Sequence, residues 1–307
     1  MVPFPYSGII IAGPTACGKS GLALELAQRL SCYQPAHIIN ADSMQVYREL
    51  SILTARPTLR DCATTPHHLY GIIDGTQRCS AGWWREQAEE KIQHCYHHSI
   101  FPIIVGGTGL YLQALTQGLS PMPPIDPEIK QKADSLLQSY NGDFYDYVCQ
   151  QDPLVKNRLQ PHDHQRLKRA LEVFLQTNKS IFLWHSQTLP GITSFLFCII
   201  TPERNQLYQH INQRFLTMIE QGALEEVASL KAASLPADSP LLKAIGVQEL
   251  FGFLEGTYNL ETAIQMAQLN SRRYAKRQMT WFRHQVDKKI VLDSPNLDTL
   301  WTHLLAN

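Results

Sequence analysis

Short apolar runs alternate with amphipathic helical patterns along much of this chain. The apolar, β-favouring runs predict strands at 8–12, 37–40, 102–105, 194–200 and 290–292. The helical periodicity predicts helices at 21–30, 110–119 and, towards the C-terminus, near 204–221, 222–233, 241–255 and 259–283. Strands that alternate with helices predict a parallel sheet flanked by helices, which is an α/β fold.

A proline-rich stretch interrupts this pattern. Residues 120–127 read SPMPPIDP, and four prolines in eight residues can continue neither a helix nor a central strand. The pattern from there to about residue 186 is helical and more charged. We therefore expect a core domain formed by residues 1–120 and 191–307, with a small all-helical insertion domain at 121–190.

Composition narrows the class of protein. The 307 residues carry 27 Lys plus Arg and 27 Asp plus Glu, so total charge does not argue for a nucleic-acid or membrane partner. Seven cysteines without a Cys-x-x-Cys pair argue against a disulfide framework or a structural zinc and favour a reducing compartment. Neither a signal peptide nor a membrane span is apparent, so a cytoplasmic protein without membrane contact is expected.

The loop after the first strand carries the strongest motif. Residues 13–20 read GPTACGKS, which fits G-x-x-x-x-G-K-[ST] between an apolar strand and a helical pattern. Its glycines let consecutive N–H groups point at an anion, Lys19 would contact a phosphate, and Ser20 would bind Mg²⁺. The alternative is a glycine turn that merely begins a helix. The motif indicates a di- or triphosphate ligand but not the reaction.

Two other strand ends carry unusual side chains. Asp42 follows the strand at 37–40, with Ser43 and Gln45 beside it, and such a carboxylate can act as a general base. An aspartate that binds Mg²⁺ or caps the next turn is the alternative. Thr108 lies among three glycines after the strand at 102–105 and predicts a second anion or substrate contact. Its alternative is a helix N-cap.

A basic stripe with interleaved aromatic residues lies on the last long predicted helix. Lysine and arginine side chains of this density can bind phosphates, and flanking aromatic rings can stack on bases, although a solvated helix face is the alternative. The stripe contains Arg272, Arg273, Lys276, Arg277, Arg283, Lys288 and Lys289, with Tyr274, Trp281 and Phe282. A second basic cluster, Arg166, Lys168 and Arg169, lies in the insertion.

Taken together, the motifs resemble bacterial tRNA dimethylallyltransferases, a family that prenylates an adenosine next to the anticodon. The resemblance runs in order from residue 9 to about residue 283. It rests on the segments GPTACGKS, DSMQVYR, TARP, PHHL, GGTGLYLQAL, HDHQRLKRALEV, AIG and AKRQMTWFR. The resemblance implies a P-loop NTPase-like core with the helical insertion, no membrane contact and a monomer.

The same resemblance implies a reaction and roles for particular residues. The phosphate loop would bind the diphosphate of dimethylallyl diphosphate, Asp42 would take the proton from N6 of the adenine, and Lys19 and Thr108 would assist. The implied diphosphate-binding residues are Gly13, Pro14, Thr15, Ala16, Cys17, Gly18, Lys19, Ser20 and Arg214. The implied tRNA-binding residues are Asp42, Ser43, Met44, Gln45, Thr108, Gln165, Arg166, Leu167, Lys168, Arg169, Lys276, Arg277, Gln278, Trp281 and Arg283.

Several alternatives and departures accompany this interpretation. Arg214 could instead be a surface arginine paired with Glu225 or Glu226. His67 and His68 are interpreted as structural and receive no catalytic role. Leu53 and Val247 depart from the family pattern and are expected to affect tRNA contacts more than chemistry. A phosphate-loop nucleotide kinase or NTPase is the main alternative function, and a non-catalytic RNA-binding protein is another.

Overall fold

A six-stranded parallel sheet forms the core of the α/β part of the chain. The computed structural model describes residues 4–140, 143–187, 190–286 and 289–306. The strands are β1 (Gly8–Ala12), β2 (Ala36–Asn40), β3 (His67–His68), β4 (Phe101–Gly106), β5 (Phe195–Ile200) and β6 (Ile290–Leu292). Their order across the sheet is β3-β2-β4-β1-β5-β6, and every neighbouring pair is parallel. The predicted α/β class is thereby confirmed, and the two-residue β3 is the strand that sequence patterning missed.

The helices surround this sheet and build the insertion. They are α1 (Lys19–Leu30), α2 (Leu59–Thr64), α3 (Ala81–His97), α4 (Gly109–Thr116), α5 (Pro127–Ser139), α6 (Phe144–Gln151), α7 (His164–Thr177), α8 (Ile181–His185), α9 (Arg204–Glu220), α10 (Ala223–Ala232), α11 (Val247–Leu254), α12 (Leu260–Gln285) and α13 (Leu297–Leu305). The prediction of a single helix at 241–255 is wrong. A 3₁₀ turn covers Pro240–Lys243, and an extended Ala244 with ψ 133° separates it from α11.

The chain divides into two compact units. One comprises Met1–Leu115 and Ile192–Asn307, and the other comprises Thr116–Gly191. The second unit contains α5 to α8 around its own apolar cluster, which includes Phe144, Val148 and Leu171. No described helix combines the length and the apolar character that a membrane crossing requires.

Alternating side chains of the central strands bury both faces of the sheet. Ile10 and Ile104 pack on one face with Trp84, and Ile9 and Ile103 pack on the other. Strands buried on both sides are typical of parallel sheets covered by helices. Because the strands are parallel, the loops after β1, β2 and β4 leave the sheet at one common edge, where open α/β sheets bind ligands.

Candidate active site

The loop between β1 and α1 has the backbone of an anion cradle. Ala16 and Gly18 adopt positive φ angles of 63° and 86°, and Gly18 caps α1 without a side-chain hydrogen bond. Successive N–H groups in such a conformation form a concave site for anions, to which the helix N-terminus adds positive charge. The first turn of α1 contains no acidic residue that would oppose an anion. The loop can therefore hold a diphosphate.

Side chains of this loop divide between the cavity and the core. The Lys19 ammonium donates to the Pro14 carbonyl oxygen at 3.1 Å, which folds the side chain back over the loop. The side chain of Cys17 is buried in the apolar cluster on one face of the sheet. The Thr15 N–H donates to Oε1 of Gln278 at 2.9 Å. Among the predicted diphosphate-binding residues, Thr15 thus uses its N–H for a bond within the protein, and the Cys17 side chain packs in the core.

Asp42 lies on the turn that follows β2. Its Oδ1 accepts a hydrogen bond from the Met44 N–H at 2.9 Å, which is an Asx turn that fixes the carboxylate against its own loop. Asn40 binds the backbone of Asp42 through two further hydrogen bonds. Asp42 lines the same cavity as Thr15, Lys19 and Ser20. The carboxylate and the phosphate loop thus share one cavity.

Thr108 contacts the Asp42 turn from the neighbouring loop. Its hydroxyl oxygen accepts from the Ser43 N–H at 2.9 Å and donates to the Ser43 hydroxyl at 3.3 Å. The side chain therefore binds the Asp42 turn, while the Thr108 carbonyl oxygen accepts from the Leu112 N–H in the first turn of α4. Tyr274 lines the same cavity as Asp42 and Ser43. Burial raises the pKa of Tyr274 above its usual range and the Asp42 charge adds to this shift, so the phenol stays protonated.

Gln45 is held by the segment opposite Asp42. Its side-chain amide donates to the carbonyl oxygens of Thr54 and Ala55 at 2.9 and 3.0 Å. Both bonds use its NH₂ group, and the residue still lines the cavity beside Ser43 and Met44. Ser43, Met44 and Gln45, which were predicted to bind tRNA, therefore line the same cavity as Asp42.

Arg214 enters the cavity from α9. Burial lowers the pKa of its guanidinium, and the nearby Asp42 carboxylate opposes that shift. Glu226 does not pair with it, because its carboxylate accepts from the N–H groups of 51–53 at 2.6, 2.9 and 2.9 Å. The interpretation of Arg214 as a surface arginine is wrong. Arg214 carries positive charge into the space beside Asp42.

Several further residues that line the cavity received no role from the sequence. The cavity has a volume of about 630 Å³ and contains further basic side chains, His210 and Lys243, besides Lys19, Arg214 and Arg277. Its apolar wall is formed by Leu53, Ile211, Phe215, Met218, Ala244 and Ile245. These residues belong to α9 and to the 53–55 and 243–245 segments, which overlap the motifs TARP and AIG but were given no place in a site. An anion cradle and an apolar wall in one cavity suit a ligand with both a charged and an apolar part.

The basic stripe on α12 is partly used inside the protein. Lys276, Arg277 and Arg283 are exposed, and Lys276, Arg277 and Trp281 line a shallow depression with Arg273 and His284. Arg272 instead donates to Asn212 at 2.6 Å, and Lys289 donates to the Phe282 carbonyl at 2.7 Å. Lys288 lies outside the described residues. Arg277 borders both the depression and the deeper cavity.

Gln278 does not face the solvent as its predicted tRNA contact requires. The residue is 5% exposed, and both ends of its side-chain amide bind backbone groups of the core. Its assignment to the tRNA-binding set is therefore wrong. Helical periodicity explains the difference, because position 278 falls on the inward side of α12 while 276 and 277 fall outside.

The insertion contains the second basic cluster on α7. Leu167 is fully buried in the core of that unit, so its predicted tRNA contact is wrong. Lys168 pairs with Asp134 and Glu172, and Arg169 pairs with Glu172 at 3.1 Å. Arg166 contacts Asp163 at 3.4 Å with its side chain 75% exposed, and Gln165 is exposed. Arg166 therefore offers the most accessible charge of this cluster.

The donor set around Ser20 fits Mg²⁺ only together with a substrate. Among the described residues, no three His, Cys, Asp or Glu side chains form a metal cluster. Ser20 is exposed in the same cavity as the Asp42 carboxylate, so the protein offers oxygen ligands of the kind that Mg²⁺ takes. Mg²⁺ commonly completes its shell with phosphate oxygens and water.

Comparisons with known proteins agree with this geometry. A model of the IPP transferase family matches residues 45–285. The tRNA dimethylallyltransferase of Paramagnetospirillum magneticum is 43% identical over 281 residues, which cover 91% of this chain and 88% of the relative. The full-length tRNA isopentenylpyrophosphate transferase of Bacillus halodurans gives a TM-score of 0.69 at 30% identity, covering 97% of this chain and 93% of that one. A eukaryotic dimethylallyltransferase acting on tRNA gives 0.78 at 27% identity, covering 96% and 75%.

Proposed function

The chain belongs to the IPP transferase family, and we propose how its residues transfer a dimethylallyl group from dimethylallyl diphosphate to N6 of the adenosine 3′-adjacent to the anticodon of tRNA. The observation that carries the proposal is the single cavity in which the phosphate loop, the Asp42 carboxylate and the apolar wall meet. The diphosphate lies on the backbone N–H groups of 16–20, and the five-carbon chain lies against the apolar wall. The comparisons favour this transferase over the nucleotide kinase.

The chemical step balances with the groups in the cavity. The N6 nitrogen of adenine attacks C1 of the dimethylallyl group while the bond from C1 to the bridging oxygen breaks, and its electron pair leaves on the diphosphate. Asp42 accepts the proton that N6 loses, which is the role of a general base. Lys19 and Arg214 stabilise the charge that develops on the diphosphate.

Thr108 and Asn40 keep the Asp42 turn in place. Thr108 binds both the N–H and the hydroxyl of Ser43, and Asn40 holds the Asp42 backbone through two hydrogen bonds. A turn held from two sides costs little reorganisation at the moment of reaction. When bound beside Ser20, Mg²⁺ supplies further neutralisation of the diphosphate charge.

The tRNA is proposed to lie across the exposed face of α12. Lys276, Arg277 and Arg283 would contact phosphates, and Trp281 offers an aromatic surface beside them. The target adenine has to leave the base stack to reach Asp42, so the proposal includes base flipping, with Ser43 and Gln45 beside the flipped base. Arg166 of the insertion is a further candidate phosphate contact. A monomeric state and a cytoplasmic location stay predictions.

A single-turnover assay tests the function. Labelled dimethylallyl diphosphate is mixed with excess protein and unmodified tRNA that has adenosine 3′ of the anticodon, and the product nucleosides are separated. We expect label on N6 of that adenosine and release of one diphosphate per label. ATP hydrolysis that ignores RNA, without any incorporation, would contradict the proposal. A tRNA with guanosine at the target position is the matched control and should remain unlabelled.

A further inference from the structure

We propose that Gln278 is a positioning residue that links the tRNA-facing helix α12 to two loops of the active site. The inference rests on the proposed function, because it assigns Gln278 an effect on the donor rather than on tRNA. It replaces the expectation that Gln278 contacts RNA.

One side chain joins three distant segments. Oε1 of Gln278 accepts from the Thr15 N–H at 2.9 Å, and Nε2 donates to the Gly107 carbonyl at 2.9 Å. Gln278 lies 263 residues from Thr15 and 171 residues from Gly107 in the chain. The residue is 5% exposed, so water does not compete freely for these bonds. The amide thus fixes α12 against the loop after β1 and the loop after β4.

Both loops carry functional groups next to the contact. Thr15 lies within the phosphate loop and lines the cavity. Gly107 directly precedes Thr108, whose hydroxyl accepts from the Ser43 N–H. A shift of the Gly107 peptide therefore moves the contact that supports the Asp42 turn.

A second contact fixes the same helix to the same loop. The ring of Trp281 lies directly against Gly109, where an added β-carbon would clash with the ring. Arg277, the neighbour of Gln278 in sequence, is exposed and borders the cavity. The outward side of α12 is thus available to RNA while its inward side holds the donor loops.

Loss of this amide has a defined physical consequence. Replacement by methionine retains the length of the side chain but leaves the Thr15 N–H and the Gly107 carbonyl without their partners. A buried group that loses its partner shifts towards water, which disorders the loop that carries it. The preorganised donor site then has to be ordered on binding, and this cost lowers donor affinity.

Steady-state kinetics of Gln278→Met test the assignment. We expect the KM for dimethylallyl diphosphate to rise about tenfold and kcat to fall about tenfold, because two buried hydrogen bonds are lost. The Kd for an anticodon stem-loop should stay within about twofold, since the basic side chains of α12 are unchanged. Weaker stem-loop binding with an unchanged donor KM would overturn the proposal and make Gln278 an RNA contact. Gln265→Met changes an exposed glutamine of the same helix and should alter neither the kinetic constants nor the Kd for the stem-loop.

Hydrogen exchange separates the two hydrogen bonds and does not depend on activity. Gln278→Glu retains an acceptor for the Thr15 N–H but removes the donor to Gly107. We expect faster amide exchange at 105–112 with little change at 13–20 in this variant, and faster exchange in both segments in Gln278→Met. Unchanged exchange in both segments for both variants would overturn the proposal. Failure of the wild-type protein to label tRNA would instead contradict the proposed function, and the hydrogen-exchange result for the Gln278 variants would still stand.

Discussion

Asn40 holds the backbone of Asp42 from both sides. The Asp42 N–H donates to Asn40 Oδ1 at 2.8 Å, and Asn40 Nδ2 donates back to the Asp42 carbonyl at 2.9 Å. Nδ2 also donates to the Leu69 carbonyl at 3.0 Å, and the Asn40 carbonyl accepts from the Trp84 indole at 2.8 Å. Asn40 is fully buried, so this network fixes the point from which the Asp42 carboxylate enters the cavity.

Replacement of Asn40 should impair the chemical step more than substrate binding. Asn40→Asp retains the acceptor for the Asp42 N–H but loses both Nδ2 donations, and we expect kcat to fall about ten- to hundredfold. The Kd for tRNA should change less than about threefold, because the phosphate contacts remain. Stopped-flow single-turnover kinetics and a separate binding titration measure the two quantities. An unchanged kcat would show that the turn does not need this network.

The sheet and the phosphate loop could be predicted from the sequence because local patterns determine them. The apolar runs at 8–12 and 102–105 and the GPTACGKS loop are each contained in a few consecutive residues. Helix ends and cavity walls depend on distant segments. Leu53, Phe215 and Lys243 line the cavity from three parts of the chain, and no spacing rule joins them.

Prediction from the sequence also failed for buried residues that lie within functional motifs. Gln278 lies between exposed basic residues in AKRQMTWFR, and Leu167 lies between basic residues in HQRLKRAL, so both resembled parts of a tRNA contact. The structure buries both, because helix periodicity turns them towards neighbouring segments. A motif thus identifies a helix with a function, but the face of that helix decides which residues perform it.

Arg214 should act on the donor. Arg214→Gln removes the positive charge beside Asp42 while retaining hydrogen-bonding capacity, and we expect kcat/KM for dimethylallyl diphosphate to fall about ten- to a thousandfold. The Kd for tRNA should change little. Arg204 is an exposed arginine of the same helix that stacks on Tyr208 with 5.2 Å between guanidinium and ring, and Arg204→Gln is the matched control. Equal losses in the two variants would contradict a specific role for Arg214.

Arg277 should contribute to tRNA binding. Arg277→Ala should weaken binding of the anticodon stem-loop and lower the slope of log Kd against log salt by about one unit, since one phosphate contact is lost. Filter binding between low and moderate salt measures this slope. Lys231 is a half-exposed residue of α10 that pairs with Glu255, and Lys231→Ala should leave the slope unchanged. An unchanged slope in Arg277→Ala would contradict this role and mean that the basic side of α12 is only a solvated helix face.

The edge of the sheet should become less stable in acid. Burial lowers the pKa of His68 from its ordinary 6.5 to about 4, with smaller effects from His37, Lys91, His94 and His67. Its Nε2 lies 2.9 Å from Nδ1 of His37, so a proton on both rings is unfavourable. Between pH 6.5 and 4 the unfolded chain binds more protons than the folded one, so stability falls as the pH falls through this range.

Thermal melts at pH 7.5 and pH 5 test this effect. We expect a lower Tm at pH 5 for the wild-type protein and a smaller difference for His68→Asn, which cannot be protonated. The exposed His303 provides the control, because His303→Asn should retain the full difference. A His68→Asn variant with the same pH dependence as the wild type would place the acid sensitivity elsewhere in the chain.

The most direct test of the account is the single-turnover rate of Asp42→Asn. Asparagine is close to the carboxylate in size but cannot accept the N6 proton, so we predict a transfer rate lower by about two to four orders of magnitude. The Kd values for tRNA and for dimethylallyl diphosphate should remain within about threefold of wild type. A transfer rate within tenfold of wild type at saturating substrates would contradict the assignment of Asp42 as the general base.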